Sequence, residues 1–188
     1  LFAIFFGLLI GVLTAYRANT WVDNSLRMLS VLGASMPTFW VGLMLILLFA
    51  VYLGWLPVQG SMTPRGLILP VLTLGIGATA GLSRLTRASM LEVLNSDYVR
   101  TARAKGLGEF AVVLGHAFRN ALIPALTLIG VLVGGLLGGS VITESIFGLP
   151  GMGTLAIQAI SNRDYPIVQG VVLVIAAIYL LVNLVVDI

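Results

Sequence analysis

Five stretches of this chain contain no Asp, Glu, Lys or Arg, namely residues 1–16, 28–64, 66–83, 120–143 and 165–186. A hydrocarbon core about 30 Å thick takes a helix of roughly 20 apolar residues. These stretches are of that order, and they limit the chain to folds in which helices meet lipid. Composition supports this: 59% of residues are hydrophobic and only 9% are charged, against about 25% charged in an ordinary soluble domain. So few charges cannot clothe a soluble core, which argues against a cytosolic enzyme, a nucleic-acid-binding domain or a disordered linker. The net charge of +3 rests on too few residues to signal nucleic acid.

The stretch 28–64 is too long for one crossing. It breaks at Gly54-Trp55-Leu56-Pro57, where Gly and Pro punctuate and Trp suits headgroup depth. The expected spans are then 1–16, 30–53, 68–88, 120–143 and 167–188, with residues 89–119 between the third and fourth as a separate segment. The fold class is an all-α polytopic helix bundle in one domain. Loops 17–29 and 84–119 carry eight of the ten basic residues, leaving Arg65 and Arg163 for the other side. Basic loops stay inside. Residues 17–29 and 84–119 are therefore expected to be cytoplasmic, and 54–67 and 144–166 external. The chain opens on Leu1 without an initiator Met, closes at Asp187-Ile188 inside a span, and reads as a fragment lacking one upstream span and the C-terminal tail. Asp187 lies near the cytoplasmic end of its span, within reach of the interface.

Glycines at four-residue spacing (Gly7 and Gly11; Gly77 and Gly81; Gly130, Gly134 and Gly138; Gly135 and Gly139) let helix backbones approach in lipid and are read as packing within the bundle. Pro37, in Ser35-Met36-Pro37-Thr38-Phe39-Trp40, is expected to kink the second span, either to fit the bundle or to serve a gate.

Several chemistries are missing. With no Cys there is no disulfide or thiol chemistry. The single Lys, Lys105, precedes Gly106, so no P-loop exists. The single His, His116, has no HExxH or Cys partner, which argues against zinc, and no GxSxG elbow is present. No span has an ionisable residue near its centre, which disfavours a proton-coupled carrier.

The segment 84–120 has a pattern of its own. Asn95-Ser96-Asp97 offers helix-capping residues. Residues 98–105 read as a short basic helix ended by Gly106-Leu107-Gly108. From Glu109 a second helix is expected to place Phe110, Val113, Leu114, Ala117 and Phe118 on one face, with His116, Arg119 and Asn120 near its end. Such an elbow can lie on lipid headgroups or dock into another protein.

The run Asp97-Tyr98-Val99-Arg100-Thr101-Ala102-Arg103-Ala104-Lys105-Gly106, followed by His116 and Arg119-Asn120-Ala121-Leu122-Ile123-Pro124, resembles the permease subunits of ATP-binding-cassette importers. It is most similar to the dipeptide, oligopeptide and nickel branch, and within it to the dipeptide permease B type. The resemblance extends to Ser35-Met36-Pro37-Thr38-Phe39-Trp40-Val41-Gly42, Gly54-Trp55-Leu56-Pro57, Leu69-Pro70, Arg84-Leu85-Thr86-Arg87, Glu144-Ser145-Ile146-Phe147-Gly148-Leu149-Pro150-Gly151-Met152-Gly153 and Arg163-Asp164-Tyr165-Pro166. It covers essentially the whole chain. The general importer motif begins Glu-Ala-Ala, whereas Thr101-Ala102-Arg103-Ala104 stands here, a departure that the peptide branch shares.

The resemblance implies a type I importer transmembrane fold of six spans in the cell membrane. It implies a permease with no catalytic or metal site and no cofactor, working with a second, paralogous permease, two ATPase subunits that bind ATP and Mg, and an extracytoplasmic solute-binding protein. By resemblance, Ala102, Ala104, Gly106, Glu109, His116, Arg119 and Asn120 contact an ATPase. The loop carrying Glu144, Gly148, Pro150, Gly151, Gly153 and Asp164 would face the binding protein. The bland reading of that loop is a solvated connector, and Glu144 and Asp164 are read as structural, paired locally, with a place near the translocation entrance as the alternative. The rivals are a secondary carrier or channel without ATPases and a non-transporting membrane scaffold.

Overall fold

A computed structural model describes residues 1–187, with side chains described for all but 137–140 and 186–187. Among the described residues eight α-helices form in chain order: α1 (Phe2–Tyr16), α2 (Trp21–Ser35), α3 (Thr38–Leu45), α4 (Pro64–Leu94), α5 (Asp97–Ala104), α6 (Phe118–Phe147), α7 (Met152–Ser161) and α8 (Tyr165–Asp187). Two π-helical segments join them: Ile46–Tyr52 prolongs α3, and Ala111–Ala117 leads into α6. No strand forms among the described residues.

Among the described residues, three helices are long and apolar enough to cross a membrane, Pro64–Leu94, Ala111–Leu136 and Tyr165–Val185. They fall on the expected third, fourth and fifth spans. The first, α1, has 15 residues, about 22 Å of helix at 1.5 Å per residue, which is shorter than the hydrocarbon core. The second is not a kinked helix. The chain leaves helical geometry at Met36, and Pro37 (φ −59°, ψ 135°) stands at the start of α3, accepting a hydrogen bond from Val41 N–H at 3.1 Å. Proline has no N–H and drives the preceding residue towards extended backbone, so it breaks the segment outright.

The glycine–proline break after α3 lies where the sequence puts it. Gly54 takes a left-handed φ of +63°. Trp55 donates its backbone N–H to the Phe49 carbonyl at 2.9 Å and packs its ring against Phe49 at 6.0 Å between centroids.

The chain packs as two compact units, Leu1–Ser35 with Ile76–Ile129, and Met36–Gly75 with Gly130–Ile188. In the first, α1 lies hard against α4. A Cβ on Gly7 would sit 2.9 Å from Leu82 Cβ, and one on Gly11 would sit 2.5 Å from Thr86 Cβ. The core of this unit joins Ala15, Met90, Val99, Ala102, Val112, Val113, Ala117 and Ala121. In the second unit, Gly42 of α3 packs on Thr73 and Phe147, and Gly134 of α6 packs on the Tyr179 ring of α8. Gly130, of the same expected stripe as Gly134, is buried. Gly77, Gly81 and Gly135 have no described neighbour where a side chain would go, and Gly138 and Gly139 lie outside the residues with described side chains.

Candidate functional site, a stapled helical elbow

After α4, hydrogen bonds from Asn95 N–H to Glu92 O and from Ser96 N–H to Val93 O close a turn, and α5 begins. The Ser96 hydroxyl does not cap α5; it donates back to the Val93 carbonyl at 2.5 Å. Val99 and Ala102 point α5 into the core. The helix stops because Gly106 turns left-handed at φ +76°, a conformation open to glycine at no steric cost, with its N–H on the Arg103 carbonyl at 2.9 Å. Helical backbone resumes at Glu109.

Two side-chain locks fix this elbow. Arg103 forks onto Glu109 across Gly106, Nε to Oε2 at 3.1 Å and Nη2 to Oε1 at 2.7 Å. The Arg103 guanidinium beside it holds the Glu109 carboxyl below the usual carboxylate range. Farther along, Asn120 Nδ2 donates to the Tyr98 hydroxyl at 2.7 Å, tying the start of α6 to α5. Neither Arg103 nor Tyr98 figures among the residues expected to act here. Arg103 and Glu109, oppositely charged and flanking a glycine turn, were the available signal.

The expected site residues divide. Ala102, 6% exposed, belongs to the core; its role is packing. Glu109 and Asn120 remain exposed, but each is engaged within the chain. Ala104, Gly106, His116 and Arg119 stand on the surface. Tyr98, Thr101, Lys105, Leu107 and His116 line a groove of about 350 Å³ floored by Ala102.

The apolar face of the second helix differs from the expected one. Val112, Val113, Ala117 and Ala121 are buried, whereas Phe110 is 79% exposed and Leu114 is exposed as well. The π-helical turn Ala111–Ala117 is the reason. Its i→i+5 bonding takes an extra residue per turn and shifts the phase of the inward face. Phe110 and Leu114 instead line an apolar groove with Leu9, Val12, Leu13 and Tyr16 of α1.

A polar anchor unannounced by the sequence supports the unit. Asp23 of α2, fully buried, accepts from Arg87 of α4 through both oxygens, at 2.8 Å (Nε to Oδ1) and 2.6 Å (Nη2 to Oδ2). Oδ2 also accepts the Asn19 N–H at 2.9 Å. These partners are 64 residues apart, and no local spacing signals them.

In the other unit the loop after α6 is built, not slack. Glu144 accepts the Thr154 N–H at 3.0 Å, so a carboxylate ten residues upstream caps the first turn of α7. Gly151 and Gly153 leave room for that carboxylate, because a Cβ on either would collide with it. Gly148 is left-handed (φ +62°), and the Phe147 carbonyl accepts the Gly60 N–H at 2.7 Å. Asp164 caps α8 through Ile167 N–H at 3.3 Å. Pro150 and Gly151 line an open groove with Met152, Thr154, Leu155 and Gln158.

The sequence profile of the family described as "Binding-protein-dependent transport system inner membrane component" matches residues 7–188. The chain belongs to this family. It is therefore a multi-pass membrane protein. It is 48% identical to the di/tripeptide transport system permease protein DppB of Pseudomonas aeruginosa, over 100% of this chain and 64% of that protein. It is 47% identical to the glutathione transport system permease protein GsiC of Pectobacterium atrosepticum (98% and 60%) and 45% identical to GsiC of Escherichia coli K12 (99% and 61%). The chain thus spans about six-tenths of the length of these relatives. Its fold is that of a chain in the inward-facing MetNI methionine ABC transporter, with TM-score 0.76, 18% identity, and coverage of 98% of this chain and 86% of that one.

Proposed function

We infer that the chain is the transmembrane permease subunit of an ATP-binding-cassette importer, carrying peptides or related small solutes and coupled to ATPase subunits on the cytoplasmic side. The observation that carries this reading is the elbow. A rigid, outward-turned tip (Ala104, Lys105, Gly106 and Leu107) is held by the Arg103–Glu109 fork and the Asn120–Tyr98 bond, while its inner face packs on α4. Force applied to the tip passes directly into two long helices. The relatives' names, a di/tripeptide and a glutathione permease, support a peptide-like solute.

In this reading a second, paralogous permease completes the pathway. Two ATPase subunits bind ATP and Mg and press on the elbow, and an extracytoplasmic binding protein delivers solute near the capped loop 144–154. This chain's own part is mechanical. It offers two packings of one bundle, and nucleotide bound to the partners biases them. The basic loops support placing the elbow inside. Co-purification tests the reading: two ATPase subunits recovered per complex support it, and solute uptake by a complex without ATPases would point to a secondary carrier or channel and overturn it.

A further inference from the structure

Arg27 is the last charged residue before the uncharged stretch 28–64, and Arg84 is the first after 66–83. Each borders an uncharged stretch within its helix, a sequence position that suits the depth at which hydrocarbon meets headgroups. The fold brings them together. Arg27 of α2 and Arg84 and Arg87 of α4 line one small pocket with Thr14 of α1, Ser30 and Ser83.

The charges there do not balance. The neighbouring carboxylate, Asp23, is consumed by Arg87 and Asn19. Among the described residues Arg27 donates only to the neutral Asn24 side chain, at 3.3 Å. Among the described residues neither Arg27 nor Arg84 has a carboxylate partner, and both are exposed. The hydroxyls do not fill the gap, because Thr14, Ser30 and Ser83 each donate to a carbonyl of their own helix, at 2.7, 2.9 and 3.0 Å. The donors left over are guanidinium N–H groups, and their complement is an anion. The enclosed space is about 10 Å³, room for about one water-sized group. A ligand therefore keeps its body at the mouth and sends in one oxygen.

We propose that Arg27 and Arg84, at the mouth of the pocket beside the Asp23-paired Arg87, form a binding site for the phosphate group of an anionic phospholipid. Guanidinium forks match phosphate oxygens in paired, charge-assisted hydrogen bonds. A phosphodiester with its tails outside fits a shallow mouth at headgroup depth better than a free ion does. Basic pockets between spans on the cytoplasmic side are where anionic headgroups collect. The site rests on the membrane setting of the chain and is independent of the transport reading.

The test uses the full-length protein, purified with the subunits it retains, stripped of lipid and titrated with phosphatidylglycerol or phosphatidylcholine, with bound lipid read by native mass spectrometry. Wild type should prefer phosphatidylglycerol. The exposed-residue variant R27Q/R84Q should bind it roughly tenfold more weakly while eluting as the same assembly. The charge-matched variant R65Q/R163Q should bind as wild type does. Three results would each overturn the proposal: no preference in wild type, equal loss in both variants, or complete displacement of the lipid by millimolar inorganic phosphate, which would make the pocket a free-phosphate site.

Discussion

At the scale of single residues, the fold is held by a few contacts between residues distant in sequence. Asp23 and Arg87 form a buried bidentate pair between α2 and α4, and removing one partner strands the other charge. Asp23→Asn should cost about 3 kcal/mol and lower the thermal midpoint in detergent. Arg87→Gln placed on top of it should add less than it costs alone, because the stranded guanidinium is then gone. Gly11 makes a second test. A side chain there meets Thr86 Cβ at 2.5 Å and the Ser83 carbonyl at 2.9 Å, so Gly11→Val should push α1 off α4 and lower the midpoint. Gly77→Ala, which meets no described neighbour, should leave the midpoint unchanged or raise it slightly through helix propensity. Both glycine pairs have the same spacing; packing alone separates them. Nor does any local pattern announce Asp23, whose partner lies across the fold.

Elements were far more legible. Uncharged stretches mark α4, α6 and α8, and glycines mark the turns at Gly54 and Gly106, because lipid and left-handed backbone each admit few residue types. Two features escaped. Pro37 was expected inside a kinked span and instead begins a new helix. The π-helical turn Ala111–Ala117 rotates Phe110 and Leu114 out of the face that a 3.6-residue period assigns them. The site residues were legible as a segment, but their division into packing (Ala102), stapling (Glu109, Asn120) and surface (Ala104, Gly106, His116, Arg119) needed coordinates. The staple has a pH signature. Arg103 lowers the Glu109 carboxyl below its ordinary value of 4.5. Its contribution is therefore complete above that value and is lost as pH falls through the lowered one. Hydrogen-exchange opening of residues 103–112 should accelerate on acidification below about 4.5. Arg103→Gln should show the faster opening already at pH 7 and lose most of the acid response. Both groups are exposed, so the effect is local to the elbow and leaves global stability little changed.

In the whole molecule, the proposed function makes the chain a transmitter between the elbow and the long helices that meet there. Gly106 is the place to interrogate it. It is left-handed, exposed and free of described neighbours on its side-chain direction, so a large residue there strains the turn by about 1–2 kcal/mol and changes the tip without entering the core. The most direct measurement is solute uptake and solute-stimulated ATP hydrolysis, followed together in proteoliposomes holding the full-length Gly106→Trp variant with its partner subunits. The expected result is an assembled complex that hydrolyses ATP without stimulation by solute and takes up almost none. Uptake and stimulation at wild-type levels would contradict it.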